Sequence, residues 1–188
     1  MTVTTTRMGL EDFFAYTSDR DTLYELEDGE LFEMPPESDL NQRIASFLFA
    51  YFLRQGIDPD RLRTKTEIAV MGVRTTVRVP DLLVLSEELA TALEGATRAT
   101  VTLDMPPPRL VVEVVSPGKK NINRDYRYQR SQYEARGIVE YSIVDPIAQR
   151  VSVLTRIDRP YSAAALAGQQ TATTPKTAPV KATYTAER

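Results

Sequence analysis

Apolar residues along the chain change spacing several times, and each change marks a predicted element. Residues 8 to 20 predict a short helix with Leu10, Phe13 and Phe14 on its apolar side. From Leu23 to Met34 the pattern alternates around Asp28-Gly29, a dipeptide that signals a β-hairpin when set between alternating runs. Pro35 and Pro36 break the chain, and Ser38 or Asp39 can cap the element that follows. Ile44, Phe47, Leu48, Tyr51 and Phe52 then fall at i, i+3, i+4, i+7 and i+8, a helical stripe that ends near Gly56 and Pro59.

Period-two spacing returns at Leu62, Thr64, Thr66, Ile68 and Val70, which predicts a strand. A turn at Met71 to Arg74 leads into a second strand, Thr75 to Leu85, with Val77, Val79, Asp81, Leu83 and Leu85 on one face. Pro80 has no N–H to donate, so a bulge, an edge or a strand start is expected there. Ser86 to Leu93 predicts a helix capped by Ser86, and residues 95 to 108 a connector. Leu110 to Val115 is a short β-branched run with turn signals at both ends, the pattern of a strand buried on both faces. After a turn at Ser116 to Lys120, a helix is expected from Asp125 to Arg136, with Tyr126, Gln129, Arg130 and Tyr133 on one face and Gly137 at its end. Strands follow at Ile138 to Val144 and from Val151. Beyond Ile157, Ala, Thr, Gln and Lys dominate without periodicity, so residues 1–157 are expected to form one domain and 158–188 a disordered, low-complexity tail.

Two carboxylates break this apolar pattern. Glu113 stands in the middle of the buried run, and Asp81 among the apolar positions of the strand before it. An unpaired buried charge costs several kcal/mol or forces protonation, so both acids need compensation. One solution is a shared divalent cation; the other is hydrogen bonding to backbone or pairing with Arg78, Arg124 or Arg127. Composition narrows the first. The 188 residues include no cysteine and no histidine, which excludes thiolate and imidazole metal sites, Ser-His and Cys-His catalysis, and disulfides. Only oxygen ligands remain, favouring magnesium, manganese or calcium.

Charge adds less. With 42% hydrophobic and 26% charged residues and a net charge of −3, the composition is that of an ordinary soluble domain. Glu11 to Asp39 is acidic, whereas Arg61 to Arg78 and Lys119 to Arg136 are locally basic. Such patches suit nucleic acid, and equally a solvated face. No apolar stretch is long enough to cross a bilayer, and the N-terminus lacks the apolar core of a signal peptide, so a cytoplasmic location is expected.

Several blocks carry a resemblance. Tyr24-Glu25-Leu26 with Asp28-Gly29-Glu30-Leu31, Glu37 to Ala45, Val79-Pro80-Asp81-Leu82, Val111 to Pro117, Asn123 to Tyr128 and Val144-Asp145-Pro146 occur in this order over roughly residues 8 to 155. Together the sequence resembles the cyanobacteria-expanded "putative restriction endonuclease" family (Uma-type) of the PD-(D/E)XK nuclease-like superfamily. The resemblance implies an α/β (α+β) restriction-endonuclease-like core: a mixed β-sheet flanked by helices, in the order α-β-β-β-α-β with an N-terminal hairpin. It further implies a Mg²⁺- or Mn²⁺-dependent endonuclease acting on DNA, with a homodimer as one expected assembly. By position, Asp81 and Glu113 match the family's metal-binding acids. The superfamily's lysine would fall at Val115; in this family it lies on the following helix, at the position of Gln129, the third candidate catalytic residue. Lys119, Lys120, Arg127 and Arg130 are candidate substitutes for its charge. Glu67 is a further acid, expected in a surface pair with Arg63 and Lys65. The chain also departs from the family at Ser142, where an aromatic is usual, and after Thr155, where a closing strand and helix are expected. The alternative function is a catalytically inactive nuclease fold that binds nucleic acid or a protein partner.

Overall fold

Asp28 and Gly29 both adopt positive φ, 50° and 82°, and so close the predicted hairpin between β1 (Tyr24–Glu27) and β2 (Glu30–Glu33). A Cβ on Gly29 would lie 2.8 Å from the Arg7 Cβ, so glycine is required there for space as well as for conformation. The computed structural model describes residues 7–17, 22–116, 128–156 and 161–167. Within them α1 (Leu10–Thr17) lies against the hairpin, placing Phe13 with Tyr24, Leu26 and Val77.

The helix α2 (Asp39–Arg54) begins at Ser38, whose Oγ accepts from the Asn41 N–H. Leu48 and Phe52 of the predicted stripe are buried, but Phe47 is 56% exposed and stacks on Tyr51 instead. One residue on a helix turns the side chain by about 100°, which carries Phe47 off the sheet that Leu48 faces.

The two predicted strands after α2 are each broken in two. Leu62–Arg63 (β3) and Glu67–Val70 (β4) are separated at Lys65, which has φ 54°. Thr76–Arg78 (β5) and Leu82–Val84 (β6) are separated at Pro80. The pairing Leu62↔Val84 on one side of the break and Ile68↔Arg78 on the other belongs to a single register. The pair is therefore one hairpin, bent in the middle, whose base belongs to one sheet and whose tip belongs to another. A proline that cannot donate to a ladder and a lysine in the left-handed region account for the bend.

After α3 (Glu87–Ala92), capped by Ser86 as expected, the connector contributes a short strand, β7 (Thr100–Val101). Then come β8 (Leu110–Val114), α4 (Arg130–Arg136), β9 (Glu140–Asp145), β10 (Arg150–Arg156) and β11 (Tyr161–Ala167). The result is the mixed α/β fold with flanking helices that was expected, divided over two sheets. One runs β2-β1-β5-β4-β7 and the other β11-β10-β9-β8-β6-β3. Each is antiparallel except for one parallel pair, β4 with β7 and β8 with β9. The strand β11 pairs along its whole length with β10, past the boundary expected at residue 157.

Every residue of β8 is buried. Leu110 and Val112 face α2 together with Leu82, Val84 and Val153. Val111 and Val115 face the other way, into the main core, where Leu83, Leu85, Tyr133, Tyr141 and Ile143 meet Ile68 and Val70 of the second sheet. Ser142 lies in register with Val112 and Val153, both in the α2-facing core. Ser142 therefore bears on the packing against α2 rather than on the acids.

Glu67 corrects its expectation. It is buried, on the face of β4 opposite to Ile68 and Val70, and its partner is Arg98 rather than Arg63 or Lys65. The two Arg98–Glu67 bonds are 2.6 and 2.8 Å, and the guanidinium also donates to Thr17 and lies 4.7 Å from the Phe14 ring. Strand parity gave the face correctly, but that face is covered by α1.

Arg98→Ala strands the Glu67 carboxylate under α1, and is expected to cost roughly 2 kcal/mol of unfolding free energy in urea, below the range for fully buried pairs. Ser142 has a buried hydroxyl with no partner among the described residues. Ser142→Ala is expected to raise stability by about 1 kcal/mol, because an unpaired buried hydroxyl is a desolvation cost.

Candidate active site

The bend that breaks the second predicted strand also delivers Asp81. The β6–β8 ladder pairs Leu82 with Val112 and Leu83 with Val111, and one further step puts Asp81 opposite Glu113. Glu113 shares the main-core face of β8 with Val111 and Val115, and Asp81 stands immediately before β6. Asp81 has left the strand, and its Oδ2 accepts from the Val114 N–H at 2.6 Å. The carboxylate accepts from a β8 N–H beyond the last ladder pair, pinning one acid to the strand that carries the other.

Glu113 is 8% exposed. The Tyr133 hydroxyl, on α4, donates to its Oε1 at 2.7 Å. Burial, and after it the Glu113 carboxylate, raise the Tyr133 phenol well above its ordinary pKa, so at neutral pH Tyr133 keeps its proton and donates a hydrogen bond to Glu113. The end of β8 is fixed from its other side by Asn41 at the start of α2. The Asn41 Nδ2 donates to the Val114 carbonyl at 3.4 Å and to the Ser116 hydroxyl at 3.2 Å.

Gln129 is 1% exposed, just before α4. The Tyr141 hydroxyl donates to its Oε1 at 3.2 Å, and the Tyr141 ring packs edge-on against Tyr133 at 4.9 Å between centroids. Gln129 is thus linked to Glu113 through two tyrosines. Val115, where the superfamily's lysine would stand, is a fully buried core residue whose N–H donates to Val144. Lys119, Lys120, Arg124 and Arg127 lie outside the described residues.

Behind the acids, on β5, stands a fully buried arginine. The Arg78 Nη1 meets Glu25 and Glu27 of β1, both at 3.3 Å, and its Nε donates to Gln132 of α4 at 3.1 Å. Glu25 also accepts from the Val79 N–H. Burial opposes the charge on Arg78, but Glu25 and then Glu27 outweigh it, and its pKa is raised. The basic stretch Arg61 to Arg78 is therefore not an open patch throughout. Arg61 is bound to the Leu85 carbonyl and Glu87, and Arg63 to the Pro59 and Leu62 carbonyls.

Three of these residues had weak signals or none in the sequence. Tyr133 lies on the predicted helix face with Gln129. Arg78 was a candidate partner for Asp81 and Glu113, and the structure pairs it with Glu25 and Glu27; Asn41 looked like the polar start of a helix.

The donors gathered here are all oxygen, which suits a hard divalent cation. Among the described residues no group of three or more acidic, histidine or cysteine side chains comes together. Two carboxylates, with water or phosphate oxygens completing the shell, is a set that magnesium commonly accepts.

Two mixed sheets flanked by helices, with one acid where a hairpin bends and another on the adjoining strand, define a nuclease-like α/β fold. The sequence matches the Uma2 family, described as "Putative restriction endonuclease", over residues 10–186. The chain belongs to that family. Among solved structures it is similar to "a putative nuclease belonging to DUF820" from Anabaena variabilis ATCC 29413, with TM-score 0.64 and 15% identity over 89% of each chain. At that identity the likeness is one of fold. No curated protein matches. Among the described residues no helix is long and apolar enough to cross a membrane.

Tyr133→Phe removes the donor to Glu113 and is expected to cost about 1–2 kcal/mol at pH 7. Because the folded-state pKa of Tyr133 is raised, its contribution is fully present below the unfolded tyrosine value of about 10 and is lost as pH rises through the folded value. The stability gap between native protein and Tyr133→Phe should hold up to about pH 10 and narrow above it. A gap unchanged to high pH would show that the phenol is not held this way.

Proposed function

We propose that the chain hydrolyses phosphodiester bonds in DNA at the Asp81–Glu113 pair, as an endonuclease that uses Mg²⁺ or Mn²⁺. The observation that carries this reading is the convergence of the two acids. They are separated in sequence, yet the bond from Asp81 to the Val114 N–H holds one acid against the residue next to the other. Membership of the Uma2 family supplies the reaction class.

A divalent cation bound there would polarise the phosphodiester and stabilise the charge that develops on it. Asp81 and Glu113 would hold the cation. Tyr133 keeps Glu113 in one rotamer by donating to Oε1, leaving the direction of the carboxylate set before a ligand arrives. Gln129 occupies the family's lysine position. Its amide can orient a water or a phosphate oxygen but supplies no positive charge to the transition state. Loss of a donor of that kind typically costs about 100- to 1000-fold in rate, so the expected nuclease is slow. DNA is its partner, and two copies together would be needed to cut both strands of a duplex in one encounter.

A binding protein without turnover is the competing reading, and Gln129 is the observation that favours it. Buried, and accepting from Tyr141, this residue is integrated as a neutral acceptor rather than poised as a cation.

Purified protein incubated with single- and double-stranded DNA and Mn²⁺ is expected to cleave slowly. Glu113→Ala and Asp81→Asn should abolish cleavage, and Gln129→Lys should accelerate it. Salt-dependent DNA binding with no cleavage by either the native protein or Gln129→Lys would replace the enzyme with the binding protein.

A further inference from the structure

Arg78 is costly for what it contributes to stability. It is the largest fully buried side chain in the described part of the molecule, and its Nη2 is buried with no partner there. Nε and Nη2 form one edge of the planar guanidinium, and Gln132 takes only the Nε half of that edge. Buried ion pairs are often no more stabilising than apolar residues of the same volume. A methionine would fill this space without three partners and an unpaired amino group. The position of Arg78 suggests what the charge is for.

Both routes from Arg78 lead to the acids. Along the chain, Arg78 is the last residue of β5 before the Val79-Pro80 bend, and Asp81 is the first residue after it. Glu25 holds the start of that bend twice, taking the Arg78 guanidinium on Oε2 and the Val79 N–H on Oε1. Across the core, Arg78 holds Gln132, the residue next to Tyr133, whose hydroxyl is bonded to Glu113. The guanidinium therefore ties the bend that delivers Asp81 to the helix that supports Glu113.

We propose that Arg78, clamped by Glu25, Glu27 and Gln132, is the positioning residue of the carboxylate pair and sets the spacing with which Asp81 and Glu113 receive a divalent cation. This rests on the cation-binding reading of the pair. Arg78 does not touch the cation; it acts through the Val79-Pro80 bend and through α4. Lysine does not replace it, because an ammonium lacks the planar fork that meets β1 and α4 together.

The test is cation affinity, measured by Mn²⁺ titration calorimetry and by the Mn²⁺-induced rise in melting temperature. The proteins compared are native, Glu113→Ala, Arg78→Lys, Gln132→Ala and Leu26→Ala. Arg78→Lys is expected to weaken Mn²⁺ binding about tenfold or more, as loss of a supporting partner around a metal site commonly does. Gln132→Ala, at a half-buried helix position, should weaken it in the same direction by a smaller factor. Leu26→Ala is the stability control. It opens a cavity on the far side of the five-stranded sheet, so it should lower the basal melting temperature and leave Mn²⁺ affinity unchanged.

If Arg78→Lys does not fold, Gln132→Ala decides alone. Native Mn²⁺ affinity in whichever of these variants folds, or a loss matched by Leu26→Ala, overturns the positioning role while leaving the metal site intact. A native protein indifferent to Mn²⁺, or one that binds it equally well as Glu113→Ala, overturns the cation site itself and the positioning role with it.

Discussion

The constraint on which the structure depends is the passage of one hairpin between two sheets. Its strands keep a single register on both sides of the break, so the bend is a change of direction without a slip. At the break Pro80 cannot donate, and the next N–H of β8, that of Val114, is taken by the Asp81 carboxylate. A side chain thus accepts from the backbone beyond the last ladder pair. The same event closes the main core between the two sheets and sets Asp81 opposite Glu113. Fold and site are made by one local failure of regular strand geometry.

Charge is distributed in layers around that bend. Nearest β8 are Asp81 and Glu113, one tied to a backbone N–H and the other to a tyrosine. Behind them Arg78 is shared by Glu25 and Glu27. These five groups sum to three units of negative formal charge in and beside a core of valine, leucine and tyrosine. In a medium of low effective dielectric such a sum is unfavourable unless each carboxylate has donors directed at it. A divalent cation bound beside the two acids would reduce it further.

Gln129 is buried and held in the core as a neutral acceptor. A lysine there would bring an ammonium to the Tyr141 hydroxyl; the glutamine instead accepts that hydroxyl's proton in a hydrogen bond. The tyrosine pair still connects the position to Glu113. The packing of α4 on the sheet requires no charge at this position.

Periodicity and turn chemistry were enough to read most elements from the sequence alone. Asp28-Gly29 closes a hairpin, Ser38 and Ser86 cap helices, Gly137 ends one with φ 88°, and Leu110 to Val114 is a strand buried on both faces. These follow from local backbone preferences and from which side chains avoid water. The anomaly of a carboxylate in an apolar run was also legible, and it pointed to Asp81 and Glu113. Other features depended on contacts far apart in the chain. The division of two predicted strands between two sheets, the cover that α1 places over Glu67, and the pairing of β11 with β10 are of this kind. So is the choice of Glu25 and Glu27 as the carboxylate partners of Arg78, a residue the sequence offered as a partner for Asp81 and Glu113. Local sequence determines whether a residue can face a core. Only the tertiary structure decides which surface covers that face, because the covering residues come from elements whose positions are set by packing rather than by their own sequence.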